Sequence, residues 1–365
     1  MDNKITMLVF NLDHGGAEKV CVTLCNEFVK LKYDVELWIL DDKKTVLSEK
    51  LDKRITIYNL NKNHVRSCGL QLLKLLVQRK PARILVFHIE LAILVIILKK
   101  LFFLKTKIFT RSINTLSQAY NNSKHSWRNY FTLKIIKNVL PHSYKIIAQS
   151  SGMREDLIKS FNINSNKIVT IFNSATNFIG NKPEIVENTN VENEFLFVGR
   201  LTPQKGLINL LNAFKLAHGV NPNIHLTLVG EGVEKEMLKK MVIDLELGHA
   251  VAFEGYQENI LSYFKRAKAT VLSSFYEGFP NVLVESIAAG TPVISFDCPS
   301  GPDDIIVPGV NGILVPHLNV NEFANAILSM ANGEIYFDKQ EILNSANRFS
   351  LDTIVRSYES VLFEN

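Results

Sequence analysis

Short runs of apolar and β-branched residues alternate along the chain with longer stretches in which apolar residues recur at helical spacing. The first pattern is that of a buried strand and the second that of a helix with one apolar face. Their alternation predicts an α/β protein with parallel sheets wrapped by helices. In the first half, strands are expected at 5–10, 34–39, 54–58, 84–88, 106–111, 144–148 and 167–171, with helices at 17–31, 67–79, 90–101, 125–139 and 151–161. After Asn173 the pattern lapses into a polar stretch with Asn177, Asn181, Pro183, Glu184, Glu187 and Asn188, a linker composition. Alternation restarts at Phe195 to Val198 and continues through strands near 224–229, 250–254, 269–272 and 292–296. The expected architecture is two Rossmann-like domains facing each other across a cleft. They are residues 1–175 and 195–345, joined by a linker at 176–194, with a final helix in 346–365 packing back towards the first domain.

Charge divides the same way. Residues 1–172 hold 28 Lys+Arg against 13 Asp+Glu, a balance of +15, and the remainder holds 13 against 23, a balance of −10. Four cysteines, Cys21, Cys25, Cys68 and Cys298, give neither a disulfide framework nor a CxxC metal pattern. No secretory signal is visible, and the longest aliphatic run, Leu91 to Leu98, stops at Lys99-Lys100, far short of the ~20 residues that span a bilayer. The expected location is cytoplasmic, peripheral on the cytoplasmic face of the inner membrane.

Three segments carry candidate chemistry, each where a strand gives way to a helix. Gly15-Gly16-Ala17-Glu18 opens the first helix, where paired glycines let a ligand approach the backbone and the unpaired N–H groups of a helix start. Gly199-Arg200 and Lys205-Gly206 bracket the loop after the first strand of the second domain, so two cations can converge on one anion. Beside this second segment, as an adjunct to it, Gly230-Glu231-Gly232 punctuates the next strand in the same way. The third segment, Glu277-Gly278-Phe279-Pro280-Asn281-Val282-Leu283-Val284-Glu285, sets two carboxylates around a corner that can start a helix, with Gly290 ending it.

The run from Ser274 to Ile294, preceded by Gly199-Arg200, Lys205-Gly206 and Gly15-Gly16-Ala17-Glu18, closely resembles glycosyltransferase family 4. The order and spacing of the three motifs cover nearly the whole chain. The resemblance implies a retaining enzyme of the GT-B fold that uses a nucleotide sugar. It assigns Arg200 and Lys205 to the donor pyrophosphate, Glu285 to the nucleotide ribose and Glu277 to the transferred sugar. It also puts Gly199, Glu231, Gly278, Phe279, Pro280 and Asn281 around the donor, with Gly16 approaching from the other domain. Where members often carry an acceptor-side histidine, this chain reads Thr110-Arg111-Ser112-Ile113-Asn114, so Arg111 and Asn114 stand as the acceptor-side candidates.

The expected activity is transfer of a hexose or N-acetylhexosamine, from UDP, to a lipid-linked, lipopolysaccharide, capsule or O-antigen saccharide. The cations take the place of a metal, so no metal or cofactor is expected. Same-fold alternatives are an epimerase or a sugar-phosphate synthase with a soluble acceptor, and a non-catalytic sensor would have no need of Glu277. A nucleic-acid partner is not expected, because the cations of the basic half are interleaved with aliphatic residues rather than with a stacking platform. An anionic membrane is. Lys99, Lys100, Lys105, Lys107 and Arg111 lie among Leu98, Leu101, Phe102, Phe103 and Leu104, and Lys124, Arg128, Lys134 and Lys137 accompany Trp127, Tyr130 and Phe131. Of the two groups, the helix at 125–139 is the preferred docking face.

Overall fold

The computed structural model describes residues 3–13, 16–41, 45–112, 115–121, 127–175 and 193–363. They fall into two compact units, Met1–Asn173 with Ile354–Asn365, and Ser174–Thr353.

The first unit is built on seven parallel strands: β1 (Lys4–Val9), β2 (Asp34–Ile39), β3 (Thr56–Asn59), β4 (Arg83–Val86), β5 (Lys107–Arg111), β6 (Lys145–Ala148) and β7 (Ile168–Thr170). Their order is β3-β2-β1-β4-β5-β6-β7, so the direction of winding reverses between β1 and β4. Strands covered by helices on both faces must be apolar throughout, and Ile5, Met7, Leu8 and Val9 of β1 are fully buried. At the edge, β3 is mostly exposed and lies one to two residues beyond the expected 54–58, where the apolar signal is weakest.

The helix Leu351–Phe363 delivers its last two to three turns to this first unit. There the Phe363 ring lies 4.2 Å from that of Tyr33, and the Arg83 guanidinium sits 4.5 Å from the Phe363 centroid. The Tyr33 hydroxyl donates to Glu359 at 2.6 Å, and burial together with that carboxylate pushes the Tyr33 phenol up to about 12. The segment returning to the first unit begins at residue 354 rather than 346. Residues Ala346–Phe349 form a short 3-10 turn of the second unit, where Phe349 packs edge-on against Phe279 and its carbonyl accepts the Ala175 N–H at 3.1 Å. The first unit likewise ends at Asn173, two residues before the expected 175. Most of the expected linker lies outside the described residues, and its last position, Glu194, already belongs to a strand.

The second unit carries six parallel strands, β8 (Glu194–Val198), β9 (His225–Val229), β10 (Val251–Gly255), β11 (Ala269–Leu272), β12 (Val293–Phe296) and β13 (Gly312–Val315). Their order is β10-β9-β8-β11-β12-β13, with the reversal between β8 and β11. The four-residue β13 has no counterpart among the expected strands. All four cysteines are buried and free.

Candidate active site

In open parallel sheets, ligands bind beyond the carboxyl ends of the strands where the winding reverses. In the second unit that point lies between β8 and β11, and the loops leaving these strands are stitched together. The Ser273 hydroxyl donates to the Lys205 carbonyl at 2.9 Å, the Phe275 N–H donates to the Gln204 carbonyl at 2.9 Å, and the Gln204 amide donates to the Tyr276 carbonyl at 3.0 Å. Gly206 makes this approach possible. Its φ is 62°, and a Cβ there would stand 2.2 Å from the Ser273 carbonyl oxygen.

The stitching brings together two residues 72 positions apart. Lys205 Nζ lies 2.6 Å from Glu277 Oε1, and the Ser274 hydroxyl donates to the same oxygen at 2.5 Å. The side chains of Lys205 and Glu277 are only 14% and 7% exposed, so the pair sits in a low-dielectric setting where each charge depends on its partner. Ser274 and Gln204 were not singled out from sequence, although Ser274 opens the quoted motif. A serine three residues before an acid was the available signal.

A third loop closes on the same corner. The Glu277 N–H donates to the Pro299 carbonyl at 3.3 Å, and the Ser300 hydroxyl donates to the Gly278 carbonyl at 2.9 Å. Gly301, with φ 103°, packs so closely that a Cβ would lie 2.6 Å from Pro280 Cδ. Gly278, Phe279 and Pro280 are all buried against this loop. Pro280 then caps the helix Asn281–Ala288, whose second turn carries Glu285. Glu277 therefore stands in the loop and Glu285 on the helix, where two different parts of one extended ligand can meet them. Beside the pair, burial and then the Glu277 carboxylate push the Cys298 thiol far above its ordinary range, which keeps it neutral and unreactive.

The remaining predicted residues are placed as follows. Arg200 is exposed and has no ion-pair partner among the described residues. Gly199 is held by its N–H to the Val229 carbonyl at 2.9 Å, next to the Leu201 N–H on the Glu231 carbonyl at 2.9 Å. The Glu231 side chain pairs with Lys235 at 2.7 Å. In the first unit, Gly16 is the exposed first residue of the helix Gly16–Lys30, while Gly15 and Asn114 lie outside the described residues.

Arg111 requires a correction. It is 1% exposed, donates from Nε to the Tyr358 hydroxyl at 3.0 Å and from Nη2 to Asn173 Oδ1 at 2.6 Å, and lies over the Phe87 ring. Ending a strand buried along its length, its side chain enters the interior and is available neither to an acceptor nor to a membrane surface. It instead ties the C-terminal helix to the point where the chain leaves the first unit. Arg111→Met removes two hydrogen bonds from a charged donor and should lower the protection of the amides of residues 354–363 by about 2–3 kcal/mol. Hydrogen exchange checks this, with amides of the second unit unchanged.

Sequence reasoning also passed over His88, whose Nε2 stands 3.5 Å from Glu18 Oε1 just beyond the carboxyl ends of β1 and β4. Burial opposes ionisation of Glu18, but the His88 contact and the helix backbone outweigh it, and the carboxyl lies below its ordinary range. Among the described residues, no three His, Cys, Asp or Glu side chains gather in a way that would hold a metal ion.

Residues 14–175 match the family described as Glycosyltransferase Family 4, and residues 179–348 match Glycosyl transferases group 1. The chain belongs to glycosyltransferase family 4. This glycosyltransferase is 28% identical over 339 residues, 90% of each chain, to a Campylobacter jejuni enzyme. That relative is the N-acetylgalactosamine-N,N'-diacetylbacillosaminyl-diphospho-undecaprenol 4-alpha-N-acetylgalactosaminyltransferase. Its fold matches the lipopolysaccharide outer core galactosyltransferase WaaB at a TM-score of 0.75, with 22% identity and 99% of each chain covered. It also matches HepE of Anabaena in complex with UDP, at a TM-score of 0.79 with 18% identity over 98% of this chain and 99% of that one. Two Rossmann-like units with these neighbours make the glycosyltransferase a GT-B protein.

Proposed function

We propose that the glycosyltransferase is a retaining, metal-independent enzyme that moves a hexose or N-acetylhexosamine from UDP to a lipid-linked or lipopolysaccharide-type saccharide at the cytoplasmic face of a membrane. The observation that carries this reading is the meeting of Lys205 and Glu277 where the second sheet reverses. A part-buried ammonium beside a buried carboxylate, with Arg200 exposed at the far end of the same loop, suits a ligand that is anionic at one end and hydroxylated at the other. The pyrophosphate engages Arg200 and Lys205, Glu285 takes the ribose hydroxyls, and Glu277 faces the sugar. The backbone of Gly199 and of Gly278 to Asn281 lines the path between them.

In the reaction the acceptor oxygen forms a bond to the anomeric carbon on the face from which the diphosphate departs. The bond to the leaving oxygen breaks with its electron pair, and the acceptor proton passes to a diphosphate oxygen. Charge grows on the diphosphate as the bond breaks, so Arg200 and Lys205 bind the transition state more tightly than the donor. The acceptor class is supported by the names of the relatives, one acting on a diphospho-undecaprenol-linked saccharide and another on the lipopolysaccharide outer core. The uridine carrier is supported by the UDP bound to HepE.

A thermal-shift panel of UDP-, GDP- and ADP-sugars, followed by nucleotide release with a polyprenyl-diphosphate saccharide in the presence of EDTA, tests the reading. A cognate donor at one hundred times its Kd adds about 2.7 kcal/mol of stability. UDP-sugars alone should give this shift, and UDP release should require the acceptor and survive EDTA. Stabilisation by another nucleotide, or release abolished by EDTA, overturns the corresponding part.

A further inference from the structure

In the first unit the helix Ile89–Leu101 ends on three consecutive exposed apolar residues, Leu101 at 65%, Phe102 at 49% and Phe103 at 90% exposure. Their backbone is closed by hydrogen bonds. The Phe102 N–H donates to the Leu98 carbonyl at 3.0 Å, and the Leu104 N–H reaches back to the Lys99 carbonyl at 3.0 Å. Between them Phe103 has a φ of 51°, the left-handed conformation in which helices usually place glycine because a Cβ is penalised there. A side chain as large as phenylalanine gains nothing from packing at 90% exposure to offset that penalty. Strain combined with exposure points to a partner outside the chain.

The flanking charges say which partner. Lys99 and Lys100 occupy the last turn of the helix, Lys105 and Lys107 follow the aromatic pair, and no acid occurs between Glu90 and Glu155. The helix Trp127–Val139 packs against this one and adds the exposed Phe131, Lys134, Ile135 and Lys137. Among the described residues no helix is long and apolar enough to cross a membrane. Aromatic and aliphatic tips ringed by lysines, with no carboxylates among them, fit a surface that is anionic outside and apolar beneath.

We propose that the Leu101-Phe102-Phe103 knuckle is a wedge that enters the interfacial layer of an anionic bilayer while Lys99, Lys100, Lys105 and Lys107 meet the lipid phosphates. It shifts the docking face from the helix at 125–139 to the end of the preceding helix, although the two adjoin. The wedge deepens the reading that the acceptor is membrane-borne. Vesicle binding needs neither donor nor acceptor, so either idea can fail without the other.

Phe103→Gly makes an unusually clean test, because glycine suits the left-handed position and relieves strain. The variant should unfold at the same or a higher temperature than the wild type and show the same donor-induced thermal shift. In co-sedimentation with phosphatidylcholine vesicles containing phosphatidylglycerol, the wild type should bind, and Phe102→Ser with Phe103→Gly should bind about tenfold more weakly. Lys99→Glu with Lys100→Glu should remove the preference for phosphatidylglycerol over phosphatidylcholine alone, as should high salt. The wedge is overturned by equal binding of the wild type and the Phe102→Ser/Phe103→Gly variant, by binding indifferent to phosphatidylglycerol, or by no binding of the wild type to either vesicle.

Discussion

Arg200→Ala and Lys205→Ala should each lower kcat/KM for sugar transfer by about 2–5 kcal/mol, on the order of 30-fold to several thousand-fold. The two variants reach this loss differently. Arg200 is exposed and without an ion-pair partner among the described residues, so its removal strands no charge and should leave the unfolding temperature where it was. Lys205 is part-buried against the buried Glu277, and its loss takes the ammonium from that carboxylate, so a fall in stability should accompany the fall in rate. Initial rates over a range of donor concentrations, set beside thermal melts, separate the two. Wild-type turnover in both variants would remove the cations from the reaction.

Glu277→Gln and Glu285→Ala should diverge when binding and turnover are measured separately. Glu285 stands on the helix Asn281–Ala288, and in the proposed reading it meets the nucleoside in donor and free nucleotide alike. Its loss should weaken both by about 1.5–3 kcal/mol, as loss of a charged hydrogen bond does. The proposal puts Glu277 at the sugar, and in this structure it holds Lys205 at 2.6 Å. Neutralising it releases that ammonium to the diphosphate. Free UDP should then bind more tightly, by roughly 1.5 kcal/mol or about tenfold, even as transfer collapses. Calorimetry with UDP and with the intact donor checks this, and equal weakening of UDP by both substitutions would sink the division of labour.

How far such a site can be read from sequence depends on distance along the chain. Helix starts at Gly16 and Asn281 and the strand before each motif were legible, because fully covered parallel strands are continuous apolar runs and helix boundaries carry local signals. The exposed edge strand Thr56–Asn59 and the four-residue Gly312–Val315 strand lack that contrast. The contact between Lys205 and Glu277 was not legible at all. It exists because β8 and β11 lie side by side, a fact of sheet order, and because Gly206 lets two loops touch. Arg111 shows the opposite failure. Grouping it with Lys99, Lys100, Lys105 and Lys107 suggested a surface, but a residue ending a buried strand faces the interior whatever the charge of its neighbours, and Tyr358, Asn173 and Phe87 supply its environment.

The return of residues 354–363 to the first unit also sets an order of events during synthesis. A ribosome releases Tyr358 and Phe363 only after the whole of the second unit has emerged. Until then the Arg111 guanidinium lacks its tyrosine partner, and the Tyr33 ring faces water where Phe363 will lie. Nascent domains generally fold as they appear, N-terminal first. Here the second unit, contiguous at 174–353, can reach its final form while the one made before it still waits for its last helix.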